Sequence, residues 1–172
     1  MADKTRIGNE IEVDVSGFFT THHAFRTPTG TLGEIRFPAF SQYGIFSGAH
    51  GRELLMQKTH WLGTAHELVE GEIVRGTADR RGLLSRDMVI CFDGRDYTLE
   101  PEGLLSQGWF LLDAERFILL EIQPRGILRQ GSYLSLYGPV QPALLVFAYY
   151  LVYMRQQEDA AAVASMGAVA AS

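Results

Sequence analysis

The chain has little cysteine and no excess of positive charge, and each absence excludes a class of protein. Cys91 is the only cysteine among 172 residues, so no internal disulfide can form and a reducing cytoplasm is the expected compartment. Because free cysteine is usually buried, we expect Cys91 to pack as a small hydrophobe within Met88 to Phe92. Lys4 and Lys58 are the only lysines, and a net charge of −5 argues against nucleic acid as a partner.

The sequence also lacks the short motifs that indicate common chemistries. It contains no Gly-x-Ser-x-Gly nucleophile elbow, no phosphate-binding loop and no dinucleotide-binding fingerprint. Its histidines do not have the spacing of a metal site; they are His22, His23, His50, His60 and His66. We therefore expect a non-catalytic protein with no catalytic residue, no metal and no cofactor.

The residues that are present favour β-strands along most of the chain. Apolar and acidic side chains alternate over residues 11–15, which predicts a strand with one wet face. Residues 32–37 and 66–74 predict one further strand each. Residues 124–137 predict two more, with a break near Gly131.

Three segments share one plan, in which two β-rich arms flank a tight polar turn. The turns are His50-Gly51-Arg52, Asp93-Gly94-Arg95 and Asp113-Ala114-Glu115. Asp-Gly is the strongest of these signals, because glycine supplies the positive φ that a hairpin turn needs. Strands at this spacing indicate a meandering sandwich or barrel. Residues 109–112 and 117–120 are apolar on both faces, so we expect a helix to cover them inside and a neighbouring segment or subunit outside.

Residues 142–154 form an uncharged apolar run that begins with Pro142, a residue suited to the first turn of a helix. A helix that is apolar on every side must be enclosed by protein or by lipid. Thirteen residues extend about 20 Å, which is short of a hydrocarbon core of about 30 Å. Tyr149, Tyr150 and Tyr153 also need hydrogen-bond partners. We expect a buried core helix over about 142–158, and a tail anchor in a membrane is the alternative.

Repeated hairpins followed by a wholly apolar C-terminal helix resemble the tubby C-terminal-like superfamily, and its small bacterial LURP-one-related and scramblase-like proteins in particular. The resemblance is carried by residues 32–38, by the Gly51 and Gly94 hairpins and by residues 142–154. It implies a mainly β fold, a closed antiparallel barrel of about twelve strands wrapped around a central hydrophobic C-terminal helix. Residues 125–141 contain no acidic residue, unlike the calcium-type loop of scramblases, so calcium-dependent scrambling is not implied.

The organisation that follows is one barrel domain over residues 1–160 and an Ala-rich tail over 161–172 that we expect to fray. The candidate binding site is an arginine cluster around a predicted turn at residues 76–79. Its members are Arg75, Arg80, Arg81 and Arg86. Guanidinium groups suit phosphate and carboxylate groups, although Asp79 and Asp87 partly neutralise the cluster and a solvated loop is the competing interpretation.

These observations predict a cytoplasmic binding module, peripheral at the membrane, whose partner is an anionic phospholipid or another protein. Two alternatives stay open. The first is a small-ligand-binding barrel or enzyme with a pocket at a barrel end; the second is the tail-anchored membrane protein. The sequence leaves the oligomeric state open, a homodimer included.

Overall fold

Twelve antiparallel strands close into a barrel in the computed structural model, which describes residues 10–82, 85–103, 106–125 and 130–170, with helix side chains described to residue 165. The predicted domain begins at residue 1 and the predicted tail ends at residue 172, and both of these positions lie outside the described residues. The strands are β1 Glu10–Ser16, β2 Thr21–Thr27, β3 Gly30–Phe37, β4 Tyr43–Gly48, β5 Glu53–Lys58, β6 His66–Glu70, β7 Ile73–Arg80, β8 Met88–Phe92, β9 Arg95–Pro101, β10 Trp109–Leu112, β11 Ile118–Pro124 and β12 Gly131–Leu136. Consecutive strands pair, and β1 closes the sheet by pairing with β12. The predicted fold class is confirmed.

The Asp93-Gly94 hairpin turn is confirmed by its backbone. Asp93 has φ 48° and Gly94 has φ 75°, which are the two successive positive values of a type I′ turn. The following strand then pairs directly with the preceding one, with Phe92 opposite Arg95.

Two sequence predictions for the region from residue 66 to residue 80 are wrong. Residues 66–74 are not one strand, because β6 ends at Glu70 and a turn with Gly71 at φ 62° leads into β7. Residues 76–79 are not a turn but the middle of β7, where Gly76 pairs with Phe92. Gly76 leaves room for the core instead: a Cβ there would lie 3.3 Å from the ring of Phe147. A long-range contact, not a turn, accounts for this glycine.

Cys91 is exposed, so the prediction that it is buried is wrong. Alternate side chains of a strand face opposite sides of the sheet. Met88, Ile90 and Phe92 occupy the inward positions of β8, which leaves Cys91 on the outer face.

The outer cover expected over residues 109–112 and 117–120 is partial. Leu112 is buried although it is not part of the barrel core, whereas Leu119 is half-buried beneath Gly138, where an added Cβ would lie 2.9 Å from its Cδ2 atom. Phe117 belongs to the turn before β11 and is 68% exposed.

The helix α1, Pro142–Ala170, runs through the barrel. Each of the ten residues 143–152 is 4% exposed or less, and ten consecutive residues cover every side of a helix. The ring of Tyr149 packs against Phe25 of β2 at 5.1 Å, while Phe147 lies against Gly76 of β7. Contacts with β2 and with the distant β7 show that the helix is enclosed, as the apolar run predicts.

Beyond the barrel, α1 continues through the Ala-rich segment as far as Ala170, past the expected limit at about residue 158. Alanine has the highest intrinsic helix propensity, which favours this continuation. Val163 of this extension is 66% exposed. Within the described residues, no helix combines the length and the apolar character needed to cross a membrane.

The connections fall alternately at two ends of the barrel, because all strand pairs are antiparallel. One end, the short-turn end, carries connections of two to five residues, including the segment that leads from β12 into α1. The other, the long-loop end, carries connections of four to seven residues: 17–20, 38–42, 59–65, 81–87, 102–108 and 125–130. The helix therefore enters at the short-turn end and leaves at the long-loop end.

Replacing Phe147 with alanine should lower the free energy of unfolding by about 3–5 kcal/mol, because the ring is fully buried and its loss leaves a cavity. The matched control is Val163→Ala on the exposed part of the same helix, where the change should stay within about 0.5 kcal/mol. Urea unfolding of both variants measures this. Equal losses at the two positions would contradict the enclosed helix.

Candidate functional site

The most exposed large hydrophobic side chains of the described residues all lie at the long-loop end. There are five of them, with exposures from 75% to 104%, and we call this set the aromatic rim: Phe18, Phe19, Phe40, Trp61 and Leu62. They occupy the three loops 17–20, 38–42 and 59–65, which follow one another around the barrel. Single exposed apolar residues are ordinary, but a concentration at one end of a protein marks an interaction surface.

Phe40 is held outward by an unusual backbone. Its φ is 59°, in the left-handed region that bulky residues rarely adopt, and its side chain is fully exposed. The surrounding turn is fixed by Ser41, whose backbone N–H donates to the Pro38 carbonyl at 3.1 Å and whose hydroxyl donates to the same oxygen at 2.7 Å. Strain that no burial offsets is characteristic of functional positions.

A cleft of about 520 Å³ opens at the same end, between the loops at 17–20 and 38–42 and the helix where it leaves the barrel. Phe37, Tyr153 and Met154 line its apolar wall, and Phe18, Phe19 and Phe40 line its mouth. Lys58 and Glu158 line the cleft as well. A second open cavity, of about 840 Å³, lies at the short-turn end beside Pro142.

Three cations converge on the carboxylate of Glu158, and we call these four residues the Glu158 cluster. Lys58 Nζ donates to Glu158 Oε1 at 2.8 Å, and Arg80 Nη2 donates to Oε2 at 2.5 Å. Arg155 Nη1 donates to Oε2 at 3.2 Å, while Arg155 Nε is buried without a hydrogen-bond partner. Burial alone would raise the pKa of Glu158, but the hydrogen bond from Lys58 and the charges of all three cations hold it below the usual value.

The predicted arginine site is divided between the two barrel ends. Arg80 belongs to the Glu158 cluster, and Arg86 lies nearby, 3.9 Å from Asp159 and over the ring of Trp109 at 5.6 Å. Arg81 is exposed, and its backbone N–H donates to the Asp87 carbonyl.

Arg75 stands apart from the other three. It precedes Arg80 by five strand residues, about 17 Å at 3.3 Å per residue, which places it at the short-turn end. There it forms ion pairs with Glu70 and Asp93, and its hydrogen bond to Asp93 lowers the pKa of that carboxyl. The structure therefore does not bring Arg75 together with Arg80, Arg81 and Arg86.

Two buried histidines contact the helix near the long-loop end. His23 Nδ1 shares a hydrogen bond of 2.7 Å with the Tyr149 hydroxyl, and His66 packs edge-on against Tyr150, whose hydroxyl donates to the Gln42 carbonyl. The Nε2 atoms of both histidines are buried without a hydrogen-bond partner. Burial, with the charge of His22, lowers the pKa of His23 to about 4. Burial, with the charge of Lys58, does the same for His66.

The described residues contain no group of three or more His, Cys, Asp or Glu side chains placed to hold a metal ion. Comparison of the chain with protein-family models, with curated proteins and with solved structures finds no match.

Sequence reasoning missed the aromatic rim, although the sequence carries a signal for it. Apolar doublets recur after every second strand, at 18–19 and 61–62, with Phe40 between them. The sequence repeats the doublet at 83–84, 104–105 and 127–128, which lie outside the described residues. Apolar residues in every second connection of an antiparallel barrel predict an apolar end.

Acidification should destabilise the fold through the buried histidines. In the unfolded chain each titrates near its usual pKa of 6.5, so below that pH the unfolded state binds protons that the folded state excludes until about pH 4. Full stability is therefore present above pH 6.5 and falls toward pH 4, by on the order of 3 kcal/mol for each histidine. Urea unfolding at pH 7 and pH 5 measures the loss. His23→Asn should reduce it and His50→Asn, at an exposed position, should not; equal pH dependence in both variants would contradict this assignment.

Proposed function

We propose that this chain is a non-catalytic, tubby-like barrel of the cytoplasm that attaches peripherally to lipid bilayers by its long-loop end. The observation that carries the proposal is the aromatic rim, the five most exposed large hydrophobic side chains gathered on three successive loops. A bilayer is the partner that accepts several separate apolar loop tips without a matching surface.

The types of residue in the rim suit the membrane interface. Tryptophan concentrates at headgroup level, and apolar faces of peripheral proteins enter the headgroup and acyl boundary by about 5–10 Å. Transfer of one Phe side chain out of water contributes about 1.5–3 kcal/mol. The rings of Phe18 and Phe19 contact each other edge-on with centroids 5.2 Å apart, so the two enter as one unit.

Two basic side chains lie at strand ends, closer to the middle of the barrel than the aromatic rim on the loops. Lys58 ends β5 and Arg80 ends β7, so both are set back from the rim at the depth where phosphate groups would lie. Basic side chains near a surface contribute about 1 kcal/mol each to attraction toward anionic lipid. Glu158, Asp159 and the neighbouring Asp79 offset part of this charge. We infer that apolar insertion dominates and that anionic headgroups add a smaller, salt-sensitive contribution.

Co-sedimentation with vesicles tests the proposal. The protein should bind vesicles of phosphatidylcholine mixed with phosphatidylglycerol, and Phe18→Ser combined with Phe19→Ser should weaken binding by tenfold or more, since each ring contributes about 1.5–3 kcal/mol. High salt should weaken binding only modestly, because screening acts on the charges alone.

The matched control is Phe117→Ser, a comparably exposed phenylalanine at the short-turn end, which should leave vesicle binding unchanged. Loss of binding in both variants, or in neither, would contradict attachment through the aromatic rim. Size-exclusion chromatography with light scattering identifies the competing outcome, in which the rim buries itself against a second copy of the chain.

A further inference from the structure

We propose that the cleft at the long-loop end binds a single long-chain amphiphile with an anionic head, of which a fatty carboxylate is the simplest case. The alkyl chain would lie among the aromatic side chains, and the head would lie beside Lys58. This inference goes beyond membrane attachment, because it assigns a monomeric ligand that binds in free solution.

The cleft has the shape and composition of a small amphiphile site. Its volume of about 520 Å³ falls within the range of about 300–1,000 Å³ that ligand pockets usually have. Phe37 is fixed in its wall, packed against Tyr153 with ring centroids 4.4 Å apart. Phe18, Phe19 and Phe40 are exposed at its mouth, and an alkyl chain between them would remove their apolar surface from water.

The charge of the cleft selects the sign of the head group. Lys58 lines the cleft with its side chain only 13% exposed, and it shares Glu158 with Arg80 and Arg155. Arg155 also pairs with Asp159 at 4.0 Å, so three cations face two carboxylates and an excess of one positive charge remains at a partly buried position. Lysine and arginine carry several N–H donors each, more than the two oxygens of Glu158 can accept. A second carboxylate or phosphate group is therefore the complementary ligand, and a cationic head would be repelled.

The open cavity at the short-turn end provides the contrast. It is lined by Arg52, which pairs with Glu70 at 2.7 Å, but Glu70 also pairs with Arg75, and Arg75 pairs with Asp93. Glu53 lines the cavity as well, so two cations there face three carboxylates. Charge complementarity thus distinguishes the two ends of the barrel.

Calorimetric titration with monomeric decanoate tests the site. Decanoate should bind, decyltrimethylammonium should bind at least tenfold more weakly, and acetate and inorganic phosphate should show no binding, because each lacks the alkyl chain. Lys58→Gln should weaken decanoate binding about tenfold, the effect of one charge-assisted hydrogen bond. Phe40→Ser should weaken decanoate and neutral decanol to the same degree.

The matched control is Arg52→Gln, which removes the cation of the opposite cavity and should leave decanoate binding unchanged. Thermal unfolding of each variant establishes that the barrel is intact. Absence of decanoate binding, equal affinity for the cationic amphiphile, or equal losses in the Lys58 and Arg52 variants would each overturn the proposal. Vesicle binding of the Lys58→Gln variant separates the two proposals. If this variant loses decanoate binding but still binds vesicles, the aromatic rim inserts into a bilayer independently of the cleft.

Discussion

The burial of one apolar helix inside a closed sheet is the constraint on which the rest of this structure depends. A helix without a polar face has no stable position on a surface, and a twelve-strand sheet without a filled interior has no core. The helix fills the interior of the barrel, and the barrel covers every side of the helix, so that residues 143–152 are buried on all sides. The direction of the helix then decides which barrel end carries its polar continuation. Glu158 reaches the ends of β5 and β7 only because the helix leaves the barrel there.

The parts of the fold that depend on local pattern could be predicted from the sequence. Residues 142–154 are apolar all round, and Asp93-Gly94 has the backbone freedom that its turn requires. The errors concern residues whose role depends on distant ones. The residues around Gly76 have the composition of a turn, yet this glycine lies in a strand, where it makes room for the ring of the distant residue Phe147. The exposure of Cys91 follows from which face of β8 turns inward, which composition does not indicate.

The candidate site could not be predicted from local sequence patterns either, because its residues are also far apart in the sequence. Lys58 and Arg80 lie 100 and 78 residues from the carboxylate that they share, so their convergence follows only from the closed topology. Arg75 and Arg80 are close in sequence, and yet they form ion pairs at opposite ends of the barrel. The aromatic rim needed the same topological step, because its apolar residues converge only when every second connection lies at one end. The long-loop end of the barrel thus carries the aromatic rim, the cleft and the Glu158 cluster.

The central claim, that the aromatic rim enters a bilayer, can be tested by the fluorescence of the chain's two tryptophans. Trp61 is 80% exposed on the rim, while Trp109 is 1% exposed and shielded in the barrel. On addition of vesicles, Trp61 emission should shift to shorter wavelengths and be quenched by brominated lipid, and Trp61→Phe should abolish both changes. Vesicles that sediment the wild-type protein while its emission stays unshifted and unquenched would contradict the account, because the protein would then bind through another surface.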